Sequence, residues 1–337
     1  MLQKTIVLVF AFLCATTTHA QLRVVTYNIA KCIGDHEALD AVIDATSLDD
    51  SHGEALPVSI FLFQEVSNGK EKIVHRFLGE TYSMGTYTNK GEAGGAQAMF
   101  YESTQLKEVV DSHADIFTGA TRYADRWELK GIGDNKGVSV WVYSMHLKAS
   151  KGSENKEQRK FGAHAILEDI ATLPEGSHVI VVGDMNFYTV REPAYQLFIQ
   201  TLIDPIGSDE WAGKDDAVKH TQSPRKVRAP KGTPGSGLIH GGLDDRFDFQ
   251  FISKSLQDGK GLDIIEGSYH SFGNDGAHYD IAINDGDNSF FKGDSQRANT
   301  LAEAIFNASD HLPVIADYDV IEGKVVGKTG ESGVLNK

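Results

Sequence analysis

Short apolar runs rich in β-branched and aromatic residues recur along the chain and predict β-strands. Such runs are typical of buried strands, because successive side chains alternate between the two faces of a sheet. The strands predicted in this way are 22–29, 59–64, 96–101, 105–110, 139–145, 179–182, 246–252, 262–269 and 312–318. The short gap between 96–101 and 105–110 predicts a hairpin or meander.

Four segments have helical patterns instead, at 38–45, 70–78, 154–173 and 194–202. The segment 154–173 has the clearest apolar stripe, which consists of Ala163, Ile166, Leu167, Ile170 and Leu173. Many strands interrupted by a few helices, with hairpins among them, indicate a mixed sheet. At this chain length, two sheets packed face to face with helices outside are favoured over an open parallel sheet.

The first twenty residues have the pattern of a secretory signal peptide. Lys4 is their only charge, the apolar stretch 6–15 is too short to span a bilayer, and 18–20 offers a small-x-small cleavage site. Cys14 follows the bulky Leu13, which disfavours a lipoprotein anchor. We therefore expect a secreted or periplasmic protein without stable membrane insertion.

The remaining chain predicts one domain at 21–320 and a flexible tail at 321–337, since no Pro- or Ser-rich linker divides it. The amino-acid composition changes at one place along the chain, in a basic insertion at about 205–245. The formal net charge of −15 makes the chain a poor general binder of polyanions, so contact with nucleic acid needs a local basic patch or a metal ion. After the leader, Cys32 is the only cysteine, which excludes an intrachain disulfide. No obligate protein partner is indicated.

Polar side chains stand where the predicted strands end or begin. These are Asn28, Glu65, His146, Asp184 with Asn186, and Ser309-Asp310-His311. If the strands lie side by side, three carboxylates, two amides and two imidazoles meet at one edge. Asp248 belongs with them, because strand alternation between Phe247 and Phe249 places it on the opposite face from both rings.

Carboxylates gathered in a partly buried place repel one another unless a cation joins them. A donor set rich in oxygen suits Mg²⁺, with Mn²⁺ or Ca²⁺ as alternatives, rather than zinc. The two histidines are then free to act as base and acid. This inventory is what phosphodiester hydrolysis needs.

At these residues the chain resembles the endonuclease/exonuclease/phosphatase superfamily, in pieces that follow the family order over about 22–318. The matching pieces are Thr26-Tyr27-Asn28, Gln64-Glu65-Val66, His146-Leu147-Lys148-Ala149, Gly183-Asp184-Met185-Asn186, Asp245-Arg246-Phe247-Asp248-Phe249 and Ser309-Asp310-His311-Leu312-Pro313. The resemblance implies an α/β fold, a four-layered α/β/β/α sandwich of two mixed, mainly antiparallel sheets with outer helices.

The resemblance also implies a role for each residue. Glu65 would ligate Mg²⁺ with help from Asn28 and Asp310, and His311 would be the general base, oriented by Asp248. Asp184 and Asn186 would hold the attacking water or the phosphate, or help to place a second metal ion. His146 would stabilise the phosphate or serve the leaving group. Lys148 and Arg159 would contact phosphate, with solvated surface charges as the alternative.

The insertion reverses the sign of the charge locally. No acidic residue lies between 217 and 242, while five basic residues do, namely Lys219, Arg225, Lys226, Arg228 and Lys231. One interpretation is a mobile basic flap that grips a polyanion or a phosphorylated head group, with Arg225 as a substrate-binding residue. The other is a solvated basic loop.

Four functional hypotheses follow. The first is a secreted metal-dependent endonuclease that cleaves nucleic acid by water attack, with His311 as base. The second is a phosphodiesterase that acts on lipid head groups or small molecules, as sphingomyelinases do, and the third is a phosphomonoesterase of inositol-phosphate type. The fourth is a catalytically inactive binding protein, which the complete set of acid, base and metal candidates disfavours.

Overall fold

The computed structural model of the protein describes residues 20–92 and 94–321. The predicted signal peptide, apart from Ala20, and the predicted tail beyond Ile321 lie outside these residues. The strands are β1 (Gln21–Asn28), β2 (Val58–Val66), β3 (Tyr82–Met84), β4 (Ala96–Glu102), β5 (Leu106–Glu108), β6 (Ala114–Gly119), β7 (Arg122–Gly131), β8 (Ser139–His146), β9 (His178–Asp184), β10 (Asp248–Ile252), β11 (Gly261–Ile264), β12 (His270–Ser271) and β13 (Val314–Ile321). The helices are α1 (His36–Ser47), α2 (Glu71–Leu78), α3 (Ser153–Ile170), α4 (Pro193–Thr201) and α5 (Ser295–Ala308).

The strands form two sheets. The first has the order β11-β13-β1-β2-β4-β3, with β12 also paired to β13, and the second has the order β10-β9-β8-β7-β5, with β6 also paired to β7. Each sheet contains one parallel pair, β1 with β2 and β8 with β9, and the other pairs are antiparallel. The expectation of two mixed, mainly antiparallel sheets is confirmed.

Three apolar clusters separate the layers. One lies between the two sheets and includes Trp127. Another lies between the first sheet and helices α1, α2 and α5, and a third lies between the second sheet and helices α3 and α4. Burial on both faces explains why several strands are continuous apolar runs rather than alternating ones. The layers are therefore helix, sheet, sheet and helix, which confirms the predicted sandwich.

Sequence patterns missed helix α5 and the hairpin of β6 and β7. Helix α5 buries a stripe of small and aliphatic side chains, namely Ala298, Leu301, Ala302, Ile305 and Ala308. Alanine gives such a stripe little hydrophobic contrast. Strand β7 alternates buried residues with Arg126 and other polar residues, so it contains no apolar run. The strand predicted at 262–269 is shorter than expected, because it ends at Ile264.

Arg23 on β1 is a buried cation that ties strands to loops. Its guanidinium forms a bidentate ion pair with Asp317 on β13, at 2.7 and 2.8 Å. It also donates to the carbonyl oxygens of Thr46, Asp49 and Glu54, which lie in α1 and the connection to β2. This arrangement satisfies a charge that would otherwise be costly inside the protein.

We predict that Arg23→Met destabilises the protein by about 3–5 kcal/mol, because it leaves Asp317 buried without its partner. Urea unfolding followed by circular dichroism measures the loss. Lys226→Met is the matched control, since the Lys226–Asp280 pair is exposed and such pairs contribute about 0–1 kcal/mol. Equal losses in both variants would contradict this role for Arg23.

Candidate active site

Strand register brings three of the predicted site residues into one row across the second sheet. His146 on β8 lies opposite Asp184 on β9, which in turn lies opposite Asp248 on β10. Gly183 permits this close pairing, because its φ is +132° and a Cβ atom there would lie 1.9 Å from the carbonyl oxygen of Met145. The side chains in this row therefore start from fixed positions at the ends of adjacent strands.

The first sheet contributes Asn28 and Glu65. Asn28 ends β1 opposite Gln64 of β2, and Glu65 follows with a left-handed backbone, φ +59°. The amide Nδ2 of Asn28 donates to Asp184 Oδ2 at 3.0 Å and to Glu65 Oε1 at 3.4 Å. Asn28 thus bridges carboxylates from the two sheets. We use the name rim cluster for Asn28, Glu65, His146, Asp184, Asp248 and His311.

His311 lies between two carboxylates. Its Nδ1 is 2.7 Å from Asp248 Oδ2, and its Nε2 is 3.6 Å from Asp184 Oδ2. Burial alone would lower the pKa of His311, but the charges of Asp248 and Asp184 outweigh it and raise that pKa. Ser309 fixes the turn before the histidine, because its hydroxyl donates to the carbonyl oxygen of Asn28 at 2.7 Å.

His146 is the second imidazole of the rim cluster, and its environment is opposite to that of His311. Its Nε2 lies 3.2 Å from Asp184 Oδ2 and its Nδ1 lies 3.7 Å from Glu65 Oε1. Burial, followed by the nearby charges of Arg122 and His311, holds the pKa of His146 well below its ordinary value. One imidazole is therefore held towards the cationic form and the other towards the neutral form, which suits different roles in proton transfer.

Asp184 is the central carboxylate. Its Oδ1 accepts from the backbone N–H of Asn186 at 3.1 Å and from the Asn186 side chain at 2.8 Å. Burial raises the pKa of Asp184, and Asp248 and Glu65 add to this effect against His311. Asn186 also donates to the carbonyl oxygen of Leu147, at 3.3 Å, and so holds the loop after β8.

Glu65 and Asp310 are the carboxylates that the sequence predicts as metal ligands, and they interact electrostatically. Burial raises the pKa of Glu65, and the charge of Asp310 raises it further, so a cation between them would relieve the repulsion. One oxygen of Asp310 accepts from the backbone N–H of Ile239 at 2.7 Å. Asn28 stays a predicted ligand: its Oδ1 accepts from the backbone N–H of Ala30, and its amide donates to Glu65.

Two of the predicted phosphate contacts do not fit the geometry. Arg159 is fully buried, and it donates to Glu192 and to the carbonyl oxygens of Lys148 and Ser150. Arg225 is also buried, and it donates to Asn307 Oδ1 at 3.2 Å. The sequence marks both residues as basic, but only the tertiary structure shows that their charges are used inside the protein.

Lys148 is placed differently, since it is only partly buried. Its ammonium donates to the neighbouring carbonyl oxygen of Ala149 at 3.0 Å. Lys148 therefore stays a candidate for phosphate contact.

The basic insertion is packed on the body of the protein instead of standing free. Lys219 pairs with Asp216 and Lys226 pairs with Asp280. Backbone hydrogen bonds join the insertion to 280–283 and to Ile33. Arg228 and Lys231 are exposed. A broad basic flap is therefore not observed, and Arg228 and Lys231 are basic residues that the insertion presents to solvent.

Two residues near the rim cluster were not predicted. The side-chain nitrogen of Gln222 lies 2.7 Å from His311 Nε2. Arg122 at the start of β7 donates to the carbonyl oxygens of His146 and Leu147, at 3.0 and 2.9 Å. Neither residue follows an apolar run, so the rule that located the other site residues gives no signal for them.

Comparison of the sequence finds no matching protein family and no matching curated protein. Comparison of the fold does find matches. An endonuclease/exonuclease/phosphatase family protein from Bacteroides thetaiotaomicron is 16% identical, with a TM-score of 0.56, and the match covers 89% of this chain and 95% of that one. The chain has the endonuclease/exonuclease/phosphatase fold.

Two further solved structures support the assignment of the endonuclease/exonuclease/phosphatase fold. D. rerio TDP2, complexed with single strand DNA product, is 14% identical, with a TM-score of 0.56 and coverage of 89% of this chain and 100% of that one. A mannosyl-6-phosphatase from Bacteroides thetaiotaomicron is 14% identical, with a TM-score of 0.55 and coverage of 88% and 99%. At these identities the likeness concerns the fold.

We predict that Arg159→Gln costs about 3–5 kcal/mol of stability, because it leaves the buried carboxylate of Glu192 without its main partner. Urea unfolding measures the loss. Lys148→Met is the control and is expected to change stability by less than about 0.5 kcal/mol. An Arg159→Gln variant as stable as the unmodified protein would contradict this structural role of Arg159.

Proposed function

We propose that the protein is a metal-dependent hydrolase of phosphoric esters, and more specifically an endonuclease that cleaves phosphodiester bonds in nucleic acid. The observation that carries this proposal is the rim cluster itself, in which His311 is hydrogen bonded to Asp248 and faces Asp184, while His146 lies between Asp184 and Glu65. This arrangement combines a base oriented by a carboxylate with a second imidazole of different electrostatic character.

In the proposed mechanism, His311 acts in its neutral form and takes a proton from the attacking water through Nε2. A divalent cation bound nearby would favour this form, because its positive charge opposes the two carboxylates that raise the pKa of His311. Asp248 holds the ring through Nδ1 and stabilises the imidazolium ion that forms, as an orienting carboxylate does in other acid–base pairs. Asp184 and Asn28 lie next to Nε2 and help to position the water. The side chain of Gln222 is hydrogen bonded to His311 Nε2, so it has to move before the water can bind to that nitrogen.

The other side of the rim cluster serves the phosphoryl group. His146, with its lowered pKa, donates a hydrogen bond in its neutral form, and Arg122 supplies a positive charge beside it. Asn186 offers an amide next to Asp184. Donors of this kind stabilise charge that develops on phosphoryl oxygens in the transition state.

Glu65 and Asp310 would hold the divalent metal ion, since their mutual repulsion is what a cation relieves. When bound, Mg²⁺ supplies charge neutralisation at the phosphoryl oxygens. Asn28 acts on this pair indirectly, because its amide holds the Glu65 carboxylate in place.

A second candidate function, hydrolysis of a small phosphomonoester, is favoured by a cleft beside the rim cluster. The cleft has a volume of about 680 Å³, and its lining includes Lys151, Lys156, Tyr188, Asp244 and Asp245. Gln222 connects the cleft to the rim cluster, because its backbone N–H donates to the carbonyl oxygen of Asp245 at 3.0 Å and its side-chain nitrogen lies 2.7 Å from His311 Nε2. Cations together with carboxylates suit a compact polar substrate that carries a phosphate and hydroxyl groups.

Export of the enzyme is part of the proposal, and the signal-peptide pattern at 1–20 supports it. Among residues 20–92 and 94–321, no helix is long and apolar enough to span a bilayer. Amino-terminal sequencing of the protein from its native host is expected to begin at Gln21.

We predict that Glu65→Gln abolishes Mg²⁺-dependent hydrolysis of plasmid DNA, because it removes a metal ligand. His311→Ala is expected to lower kcat by roughly 10²–10⁴, which is typical for loss of general base catalysis. Rates on plasmid DNA and on bis-p-nitrophenyl phosphate measure both effects. His164→Gln is the control, since this histidine is exposed on α3. Unchanged turnover in Glu65→Gln would refute the proposed mechanism.

We predict that two double variants, one in the basic insertion and one in the cleft, distinguish an endonuclease from a phosphomonoesterase. For an endonuclease, replacing exposed Arg228 and Lys231 by Met raises KM for DNA and flattens its dependence on salt, because fewer counterions are released. For a phosphomonoesterase, replacing Lys151 and Lys156 in the cleft raises KM for a sugar phosphate instead. Lys72→Met on α2 is the control for a general loss of positive charge. A change confined to the monoester would overturn the endonuclease assignment.

A further inference from the structure

The hairpin of β6 and β7 carries a second group of metal-ligand side chains, none of which belongs to the rim cluster. His113 immediately precedes β6, and Asp115 on β6 lies directly opposite Asp125 on β7. One ligand atom from each of the three residues lies within 4.8 Å of the others. Nε2 of His113 is 3.1 Å from Asp125 Oδ1. These atoms are close enough for one ion to touch all three.

Asp125 supplies an independent observation that points to a bound cation. The residue is 1% exposed, and its Oδ2 is buried without a hydrogen-bond partner. A buried carboxylate oxygen of this kind is costly unless a proton or a cation compensates it. Burial raises the pKa of Asp125 to about 7, and the charge of Asp115 adds to this effect against the hydrogen bond with His113, which lowers that pKa.

Three neighbouring side chains contact the carboxylates or the imidazole of this group. Lys90 is 3.0 Å from Asp115 Oδ2, and its side chain is 46% exposed, so it can move away when an ion binds. The hydroxyl oxygen of Thr88 lies within hydrogen-bond distance of both Asp115 and Asp125, which share its single proton, and it offers a further oxygen. On the inner side, the His113 ring lies 5.6 Å from the ring of buried Trp127.

We propose that His113, Asp115 and Asp125 form a second divalent-cation site, selective for zinc-type transition metals. One imidazole nitrogen and two carboxylate oxygens match the ligands that Zn²⁺ and Mn²⁺ accept, whereas Ca²⁺ prefers oxygen ligands alone. The ion would join β6 to β7 beside Trp127 and so stabilise this edge of the second sheet. The proposal is independent of the catalytic function, because it concerns binding of the ion alone.

The test measures binding of Zn²⁺ to the full chain in a Glu65→Gln background, which weakens the metal site of the rim cluster. Equilibrium dialysis with metal analysis is expected to find one bound Zn²⁺ per chain, and the Tm is expected to rise on its addition. Adding Asp125→Asn or His113→Gln is expected to weaken binding at least tenfold and to remove the rise in Tm. Asp111→Asn, an exposed change two residues before His113, is the control and keeps full binding.

Binding of Co²⁺ gives a second readout that needs no variant to fold. An imidazole-containing site is expected to give visible ligand-field absorption that Zn²⁺ abolishes and excess Ca²⁺ does not. Absence of stoichiometric Zn²⁺ binding, or equal binding by Asp125→Asn and His113→Gln, would overturn the proposal and leave a proton as the group that neutralises Asp125. Displacement of Co²⁺ by Ca²⁺ at similar concentrations would overturn the assignment of the metal class.

Discussion

The contact between His311 and the two carboxylates beside it is the interaction on which the site depends. Packing the two sheets together brings Glu65, Asp184 and Asp248 into one partly buried region, where their charges repel. His311 offsets this repulsion by bonding to Asp248 and facing Asp184. The contact with Asp248 therefore both reduces the repulsion between the carboxylates and orients His311, the group that we propose as the base.

The side chains of the rim cluster have well-defined positions, because their residues lie at strand ends rather than in long loops. Strand register fixes His146, Asp184 and Asp248 in a row, and the amide of Asn28 connects that row to the first sheet. Buried ion pairs such as that of Arg159 with Glu192 hold the adjacent loop in turn. Rigid support of this kind keeps reacting groups within the small tolerances that catalysis requires.

Buried charge is handled differently in different parts of the molecule. The guanidinium groups of Arg23 and Arg159 are hydrogen bonded to carboxylates and carbonyl oxygens. Among the described residues, neither Asp125 nor Glu65 has an arginine or lysine bound to it in this way. The first arrangement contributes stability, and the second is the condition under which a carboxylate binds a metal ion. The contrast shows that a basic residue in the sequence can serve inside the protein, as Arg23 and Arg159 do.

The sequence by itself determined the two-sheet sandwich and the residues at the strand ends, because apolar runs and the polar residues that follow them are local patterns. It did not determine which cations face solvent. Arg159 and Arg225 look like phosphate contacts in the sequence, yet both are buried against partners distant along the chain. Gln222, Arg122 and the pairing of Asp115 with Asp125 likewise depend on contacts between separate segments, and only the tertiary structure decided them.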